Sequence, residues 1–224
     1  MYWLLLLAAA LLVSYLIGSV NFALITSKLF ARKDVREMGS GNAGMTNVIR
    51  TVGLLPGIIT FLGDFLKGIA APLIGYYFFF PKIHDSAPTC IANYLTPYFG
   101  LYLCGILCII GHAYPVFFGF RGGKGVSTAI AVLYCIDPFV ASAVLITFLI
   151  LFLITKIISI GSIMGAAEFT IYNFLVSLNK GYSVSEFIYL TVLSLVITVI
   201  IICKHKDNIV RLREGTEKKL SSHK

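Results

Sequence analysis

The chain has 224 residues, of which 12% are charged and 58% hydrophobic, with a formal net charge of +8 and a mean hydropathy of +0.90. A soluble domain carries about 25% charged residues, and a chain of this size has too little interior to hide so much apolar surface. A soluble enzyme, a disordered chain and a secreted disulfide domain are therefore excluded, and at about 150 residues per domain a single integral-membrane domain over residues 1–224 is the simplest organisation.

A bilayer-crossing helix needs about 20 apolar residues. The first apolar run, about Tyr2 to Ser27, carries no charge and is followed, not preceded, by basic residues. It reads as a transmembrane helix with its N-terminus outside, not as a signal peptide. Lys28, Arg32, Lys33, Arg36 and Arg50 mark an inside loop. A second span runs from about Pro56 to Phe80, and the outside loop after it, Pro81 to Asn93, holds only Lys82. A third span, Tyr94 to Gly111, leads into the basic glycine-rich segment Gly119 to Gly125. The short apolar stretch Val126 to Ile136 stops at Asp137–Pro138, where proline biases the chain away from helix. Runs from Phe139 to Thr155, Ile157 to Leu178 and Phe187 to Cys203 follow, and the loop Asn179 to Ser185 holds only Lys180. A basic tail, residues 204–224, completes the chain.

Fifteen of the 18 Lys and Arg fall on one side in this scheme, which requires an odd number of crossings. Seven result if Val126 to Ile136 crosses as a short helix, and five if Val126 to Thr155 enters and returns; seven is preferred. The fold class expected is an all-α polytopic bundle with a cytoplasmic C-terminus. Positive charge clustered between apolar spans points to the membrane's inner face as partner, not to nucleic acid. The five cysteines lie mostly in apolar runs without a CxxC pair. They read as small hydrophobes, with no disulfide framework and no metal site.

Three segments carry chemistry. Gly39 to Arg50, GSGNAGMTNVIR, places Ser40, Asn42, Thr46, Asn47 and Arg50 among three glycines. Glycines let backbone amides close around an anion, and a guanidinium grips phosphate bidentately. An ordinary polar loop rarely combines these features. Gly111 to Thr128 contains Gly122, Gly123, Lys124 and Gly125 at the start of a helix, where the dipole favours an anion. The spacing departs from the nucleotide P-loop, and Gly125 stands where Ser or Thr would hold magnesium, so nucleotide hydrolysis is not expected. His112 precedes this loop. Lys204 to Glu217 places His205, Asn208 and Arg211 on one helix face. Asp64 and Lys67, three residues apart within a span, are either a functional pair or a neutralised packing pair. Glu168 lies deep in a span without an evident partner, and Gly161 and Gly165 read as a close helix contact.

Together these segments resemble the bacterial acyl-phosphate:glycerol-3-phosphate acyltransferase family. The first matches the motif GSGNxGxTNxxR, the second resembles GHxxPxFxxFxGGKGVxT and the third HxxNIxRLxxGxE. Lesser matches are Gly18–Ser19, Asp64 with Lys67–Gly68, and Ser159 with Ser162. The likeness runs in constant order from about Ser14 to Glu217, with Met45 and Ser127 as small departures where alanine is usual. It implies transfer of a fatty acyl group from acyl phosphate to the sn-1 hydroxyl of glycerol 3-phosphate, giving lysophosphatidic acid and phosphate. On this reading Ser40, His112, Lys124 and His205 take part in catalysis. Gly39, Asn42, Thr46, Asn47, Arg50, Lys67, Gly122, Gly123, Gly125, Thr128, Asn208 and Arg211 hold substrate. No cofactor and no obligate protein partner are implied; the substrates and membrane lipid are the partners. The location implied is the bacterial plasma membrane, with the site at the cytoplasmic face. A transporter for phosphorylated metabolites is the rival class, disfavoured by the lack of an internal repeat. A non-catalytic lipid-binding scaffold would leave the polar glycine segments unexplained.

Overall fold

Residues 2–179 and 181–220 are described in the computed structural model; Lys180 and the last four residues of the basic tail lie outside them. The described residues form helices and turns, with no strand. Two compact units emerge, Met1–Ile136 and Asp137–Lys224.

The first unit opens with α1 (Tyr2–Ser19) and α2 (Phe22–Ala31). The sequence suggests one helix here, but the chain breaks at Val20–Asn21. The Asn21 side chain accepts the Leu24 amide at 3.1 Å and caps α2, since a short amide side chain competes with the helix ladder and favours the cap. After α3 (Met45–Thr51), α4 (Leu54–Ile74) continues through a π turn at Gly75–Phe79 into α5 (Phe80–Ser86). With α6 (Thr89–Ala92), these helices fill much of the stretch expected as a loop from Pro81 to Asn93. Pro81 sits in the first turn of α5, a position that tolerates its missing N–H. α7 (Pro97–Ala113) starts later than expected because Thr96 caps it, accepting the Phe99 amide at 3.1 Å. α8 (Val126–Ile136) has the expected bounds.

Within this unit α1 lies along α7 and α4 along α8. Ala23, Leu24, Val35, Ala43 and Val48 form a buried cluster beneath the first polar segment, with Phe118 of the second packed against it. Leu24 and Val48 are completely buried, each contributing about 1.5–3 kcal/mol of hydrophobic stabilisation. That cluster anchors the loops on a rigid base.

The second unit comprises α9 (Pro138–Thr155), α10 (Ile158–Asn179), α11 (Val184–Lys204) and α12 (Lys206–Arg213). Asp137 caps α9 by accepting the Phe139 and Val140 amides. Gly161 permits the close α9–α10 contact read from sequence: a methyl there would lie 2.8 Å from the Phe148 ring. Glu168 finds its partner across the same contact, accepting from Thr147 at 2.8 Å.

Among the described residues, five helical stretches are long and apolar enough to cross a membrane: Tyr2–Ala31, Leu54–Ser86, Pro97–Phe118, Pro138–Thr155 and Val184–Lys204. α10, with 22 residues, has the length but carries Glu168 and Asn173. α8, with 11 residues, rises only about 16 Å. The seven crossings preferred from the sequence counted both of these helices, so by length and apolarity the described residues support five.

Candidate active site

In the first polar segment Gly39 and Gly41 turn the chain in the left-handed region, at φ +60° and +72°. Asn47 then folds the turn onto α3. Its Oδ1 accepts the Ser40 amide at 2.9 Å, and its Nδ2 donates to the carbonyls of Val35 and Met38 at 3.0 and 2.9 Å. Asn47 is buried and its amide is fully used by the backbone, so it shapes the loop. Ser40 is exposed, and Asn42, Thr46 and Arg50 are half-buried. Among the described residues none of these four side chains is engaged by another group of the protein. They are the hydrogen-bonding groups this loop offers to a ligand.

The second segment approaches the first closely. The Gly122 and Gly123 amides donate to the carbonyls of Ala113 and His112, both at 3.2 Å. A methyl at Gly122 would collide with the His112 carbonyl, and one at Gly123 with His112 Nε2 and the Ala43 carbonyl. These glycines therefore allow the loop to lie flat on the end of α7 and against the first segment. Their amides serve the fold, and the chain runs on through Lys124 and Gly125 to the start of α8. Gly125 has φ +82°, and Lys124 is half-buried. Thr128 Oγ1 is turned inward and donates to the Asp64 carbonyl at 3.2 Å.

Arg36 joins the two loops, a role its sequence setting does not reveal. Its Nε lies 3.0 and 3.2 Å from the Asp34 carboxylate oxygens, and its Nη2 lies 2.7 Å from Oδ2. Its Nη1 donates to the carbonyls of Phe118 and Arg121 at 2.7 and 3.1 Å. The side-chain hydrogen bonds from Arg36 hold the Asp34 carboxyl below its ordinary range, and the same bonds raise the guanidinium above its own.

Beneath the loops lies a buried polar centre built by three elements. Lys67 Nζ is 2.8 Å from Asp64 Oδ1, 3.0 Å from His112 Nδ1 and 2.6 Å from the Val20 carbonyl. The break between α1 and α2 provides that carbonyl, because the Leu24 amide that would have satisfied it binds the Asn21 side chain instead. Asp64, Lys67 and His112 are 2%, 5% and 3% exposed, so the pair is desolvated and must be internally matched. Lys67 Nζ is enclosed by an ion pair and two hydrogen-bonding partners, which turns a candidate substrate contact into a support for His112. His112 Nδ1 faces both this ammonium and Asp64 Oδ1, 3.5 Å away, so Nδ1 is held within the buried pair and Nε2 is the nitrogen on the other side of the ring. That nitrogen lies against Gly123, where the two loops meet.

In the second unit, the third segment closes on itself. Glu217 Oε1 accepts from Asn208 Nδ2 at 2.5 Å and from Ser159 at 2.8 Å, and Oε2 from Arg211 Nε at 2.6 Å. Burial alone would raise the Glu217 carboxyl, but the bonds from Arg211, Asn208 and Ser159 outweigh it and hold the group below its ordinary value. His205 is buried, and its Nδ1 donates to the Ile201 carbonyl at 2.8 Å. A carbonyl only accepts, so Nε2 is the nitrogen with a lone pair when the ring is neutral.

Each unit thus gathers its own predicted residues. Ser40, Asn42, Thr46, Arg50, Lys124 and His112 belong to the paired loops of the first, and His205, Asn208 and Arg211 to the clamp of the second. Asp34, Arg36 and Val20 were missed. A charge pair two residues apart was the only available signal for the first two. In the paired loops, cationic and amide donors, the α8 N-terminus and an imidazole nitrogen together suit a phosphate and a carbonyl oxygen that gains negative charge.

Known proteins are similar to this chain in sequence and fold. A family model described as glycerol-3-phosphate acyltransferase matches residues 8–215. A glycerol-3-phosphate acyltransferase of Finegoldia magna is 36% identical, covering 95% of this chain and 95% of its own. One from Clostridioides difficile is 37% identical, covering 95% and 94%. Among solved structures, the glycerol 3-phosphate form of PlsY (YgiH), an integral membrane glycerol 3-phosphate acyltransferase, gives a TM-score of 0.78 at 34% identity, covering 99% of this chain and 96% of that one. Its lysophosphatidic acid form gives 0.75 at 33% identity, with the same coverage.

Proposed function

Because the chain belongs to the glycerol-3-phosphate acyltransferase family, an integral-membrane acyltransferase family, we propose that it moves a fatty acyl group from acyl phosphate to the sn-1 hydroxyl of glycerol 3-phosphate. The products are lysophosphatidic acid and inorganic phosphate. The observation that carries this reading is the meeting of two polar loops at Ala43 and Gly123, which brings Ser40, Asn42, Thr46 and Arg50 to the same place as Lys124. Two anion-binding segments suit a reaction in which both substrates bear phosphate. The solved relatives with glycerol 3-phosphate and lysophosphatidic acid support the acceptor and the product.

In the reaction the glycerol hydroxyl oxygen attacks the acyl carbon, a new C–O ester bond forms, and the C–O bond to phosphate breaks. Phosphate leaves with the bonding electrons, and the hydroxyl proton passes to a phosphate oxygen of the substrates. Phosphate is a good leaving group, so positioning and stabilisation of developing charge supply most of the catalysis. Lys124 and the start of α8 bind that charge. His112, whose Nε2 lies against Gly123 where the loops meet, polarises the reacting groups from that nitrogen. Arg50, Ser40, Asn42 and Thr46 orient phosphate and glycerol groups.

The same reading places the N-terminus outside, and the polar segments at the cytoplasmic face of a bacterial plasma membrane, on the strength of the cation distribution. Purified protein in detergent, given acyl phosphate and glycerol 3-phosphate, should release phosphate and form lysophosphatidic acid one for one. Acyl-CoA in place of acyl phosphate should give little product; comparable turnover would overturn the donor assignment.

A further inference from the structure

Arg36 lies outside all three motif segments, yet its guanidinium holds the entrance to the second. The chain reverses at Gly119 and Phe120, which have φ of +65° and +59°. For an aromatic residue this backbone region is an outlier that persists only where the surroundings over-determine it. Within the loop, the Phe118 and Phe120 amides both return to the Pro115 carbonyl, at 3.1 and 2.9 Å. The carbonyls flanking the reversal, of Phe118 and Arg121, both point at Arg36 Nη1. The opposite edge of the guanidinium is locked by the carboxylate of Asp34, which is itself fixed by accepting the Arg36 amide at 2.9 Å. A planar fork held on one edge has one direction left for its remaining N–H groups, and here it points into the second loop.

We infer that Arg36, aimed by Asp34, is a positioning residue for acyl transfer: it sets the Gly119–Gly125 loop in register with the Gly39–Arg50 loop. This rests on the reading above, in which both loops hold substrate. Each loop keeps its own ligand-binding groups without Arg36; what is lost is their mutual placement. The defect should therefore fall on turnover more than on the binding of either substrate. Lysine cannot substitute, because an ammonium has no rigid fork to bridge a carboxylate and two carbonyls.

The test uses the full-length protein in detergent, with Arg36→Lys, Arg36→Ala and Asp34→Asn variants. Without substrate, hydrogen–deuterium exchange in Arg36→Lys should rise in the peptide covering residues 116–125 and stay at the wild-type level in α1, α4 and α7. With substrates, kcat should fall about 10- to 100-fold, the loss typical of a misplaced reacting group. KM for glycerol 3-phosphate should change by less than about threefold, since a misplacement acts mainly on the transition state. Asp34→Asn should show a weaker form of both effects, and free guanidinium should restore part of the Arg36→Ala turnover where methylammonium does not. Unchanged exchange at 116–125 with wild-type kcat in Arg36→Lys overturns the inference. Exchange that rises throughout the chain, or kcat and KM that worsen together, also overturns it by reducing Arg36 to a folding contact. If the wild-type protein makes no ester from acyl phosphate, the donor reading fails, and the exchange result still decides whether Arg36 sets the loop.

Discussion

His112 Nδ1 lies 3.0 Å from Lys67 Nζ, joining the end of α7 to the middle of α4 at a point almost closed to solvent. The contact ties the orientation of an imidazole facing the loops to an ion pair whose other member, Asp64, is 2.8 Å from the same ammonium. Asp64→Asn should therefore destabilise strongly, because it leaves Lys67 charged, buried and unmatched. Removing one partner of such a pair costs about 3–5 kcal/mol. Thermal unfolding in detergent is the readout, and the Asp64→Asn, Lys67→Met double variant should recover part of the loss. A wild-type melting temperature for Asp64→Asn alone would show that the pair does not hold the centre together.

Lys124→Ala should insert and fold but lose most activity. Removal of one preorganised oxyanion donor costs on the order of 100- to 1000-fold in rate, whereas a lysine that only meets headgroups contributes about 1 kcal/mol of membrane attraction. Lys124→Arg should also be impaired, since the wider fork does not fit between Gly123 and Gly125. Phosphate release at saturating substrate, with monodisperse elution as the folding control, separates the two roles. More than about a tenth of wild-type turnover in Lys124→Ala places the residue on the lipid side of that choice.

The Glu217 clamp should respond to acid. Its carboxyl is held below the ordinary value of 4.5 in the folded protein. The ionised group thus adds stability that is fully present above that value and is lost as pH falls through the folded pKa. Amide exchange in residues 205–217 should be slow near neutral pH and, after correction for intrinsic rates, quicken towards about pH 3, below the carboxylate range. Glu217→Gln should exchange faster at neutral pH and lose the pH dependence. A wild-type segment that is equally protected at both ends of the range would count against the clamp.

The cation distribution predicts a single side for the polar segments. Lys33→Cys, Arg121→Cys and Lys218→Cys, each in a background without the native cysteines, should resist an impermeant thiol reagent in intact cells and react after lysis. Labelling of any one from outside breaks the shared-side arrangement.

The apolar helices and the glycine turns were readable from the sequence because hydropathy and glycine spacing are properties of side chains in order. The bounds of α8 and the Gly161 contact followed from such patterns. The interruption at Asn21 did not, since a lone asparagine in an apolar run looks like any polar residue until its amide is seen at the cap. Asn47 read as a ligand group and instead shapes its own loop. Lys67 read as either a functional or a packing group, and the Val20 carbonyl that helps enclose it exists only because of that interruption. Arg36 was hidden for the same reason: it binds the main-chain oxygens of Phe118 and Arg121, and every residue type carries one.

Thr128, in the first turn of α8, bonds to the Asp64 carbonyl, ten residues into α4, so α8 begins roughly 15 Å along its neighbour. The glycine loop at the head of α8 is thus sunk below the end of α4, where Leu54 and Leu55 remain exposed. An activated acyl group faces two competing nucleophiles, the intended alcohol and bulk water at very high concentration. On the proposed reaction, a floor at this depth would let a lipid lower its head while its tail stays in hydrocarbon, and would limit how many water molecules follow. The recess would thereby favour ester formation over wasteful hydrolysis, a selectivity set by the starting point of one short helix.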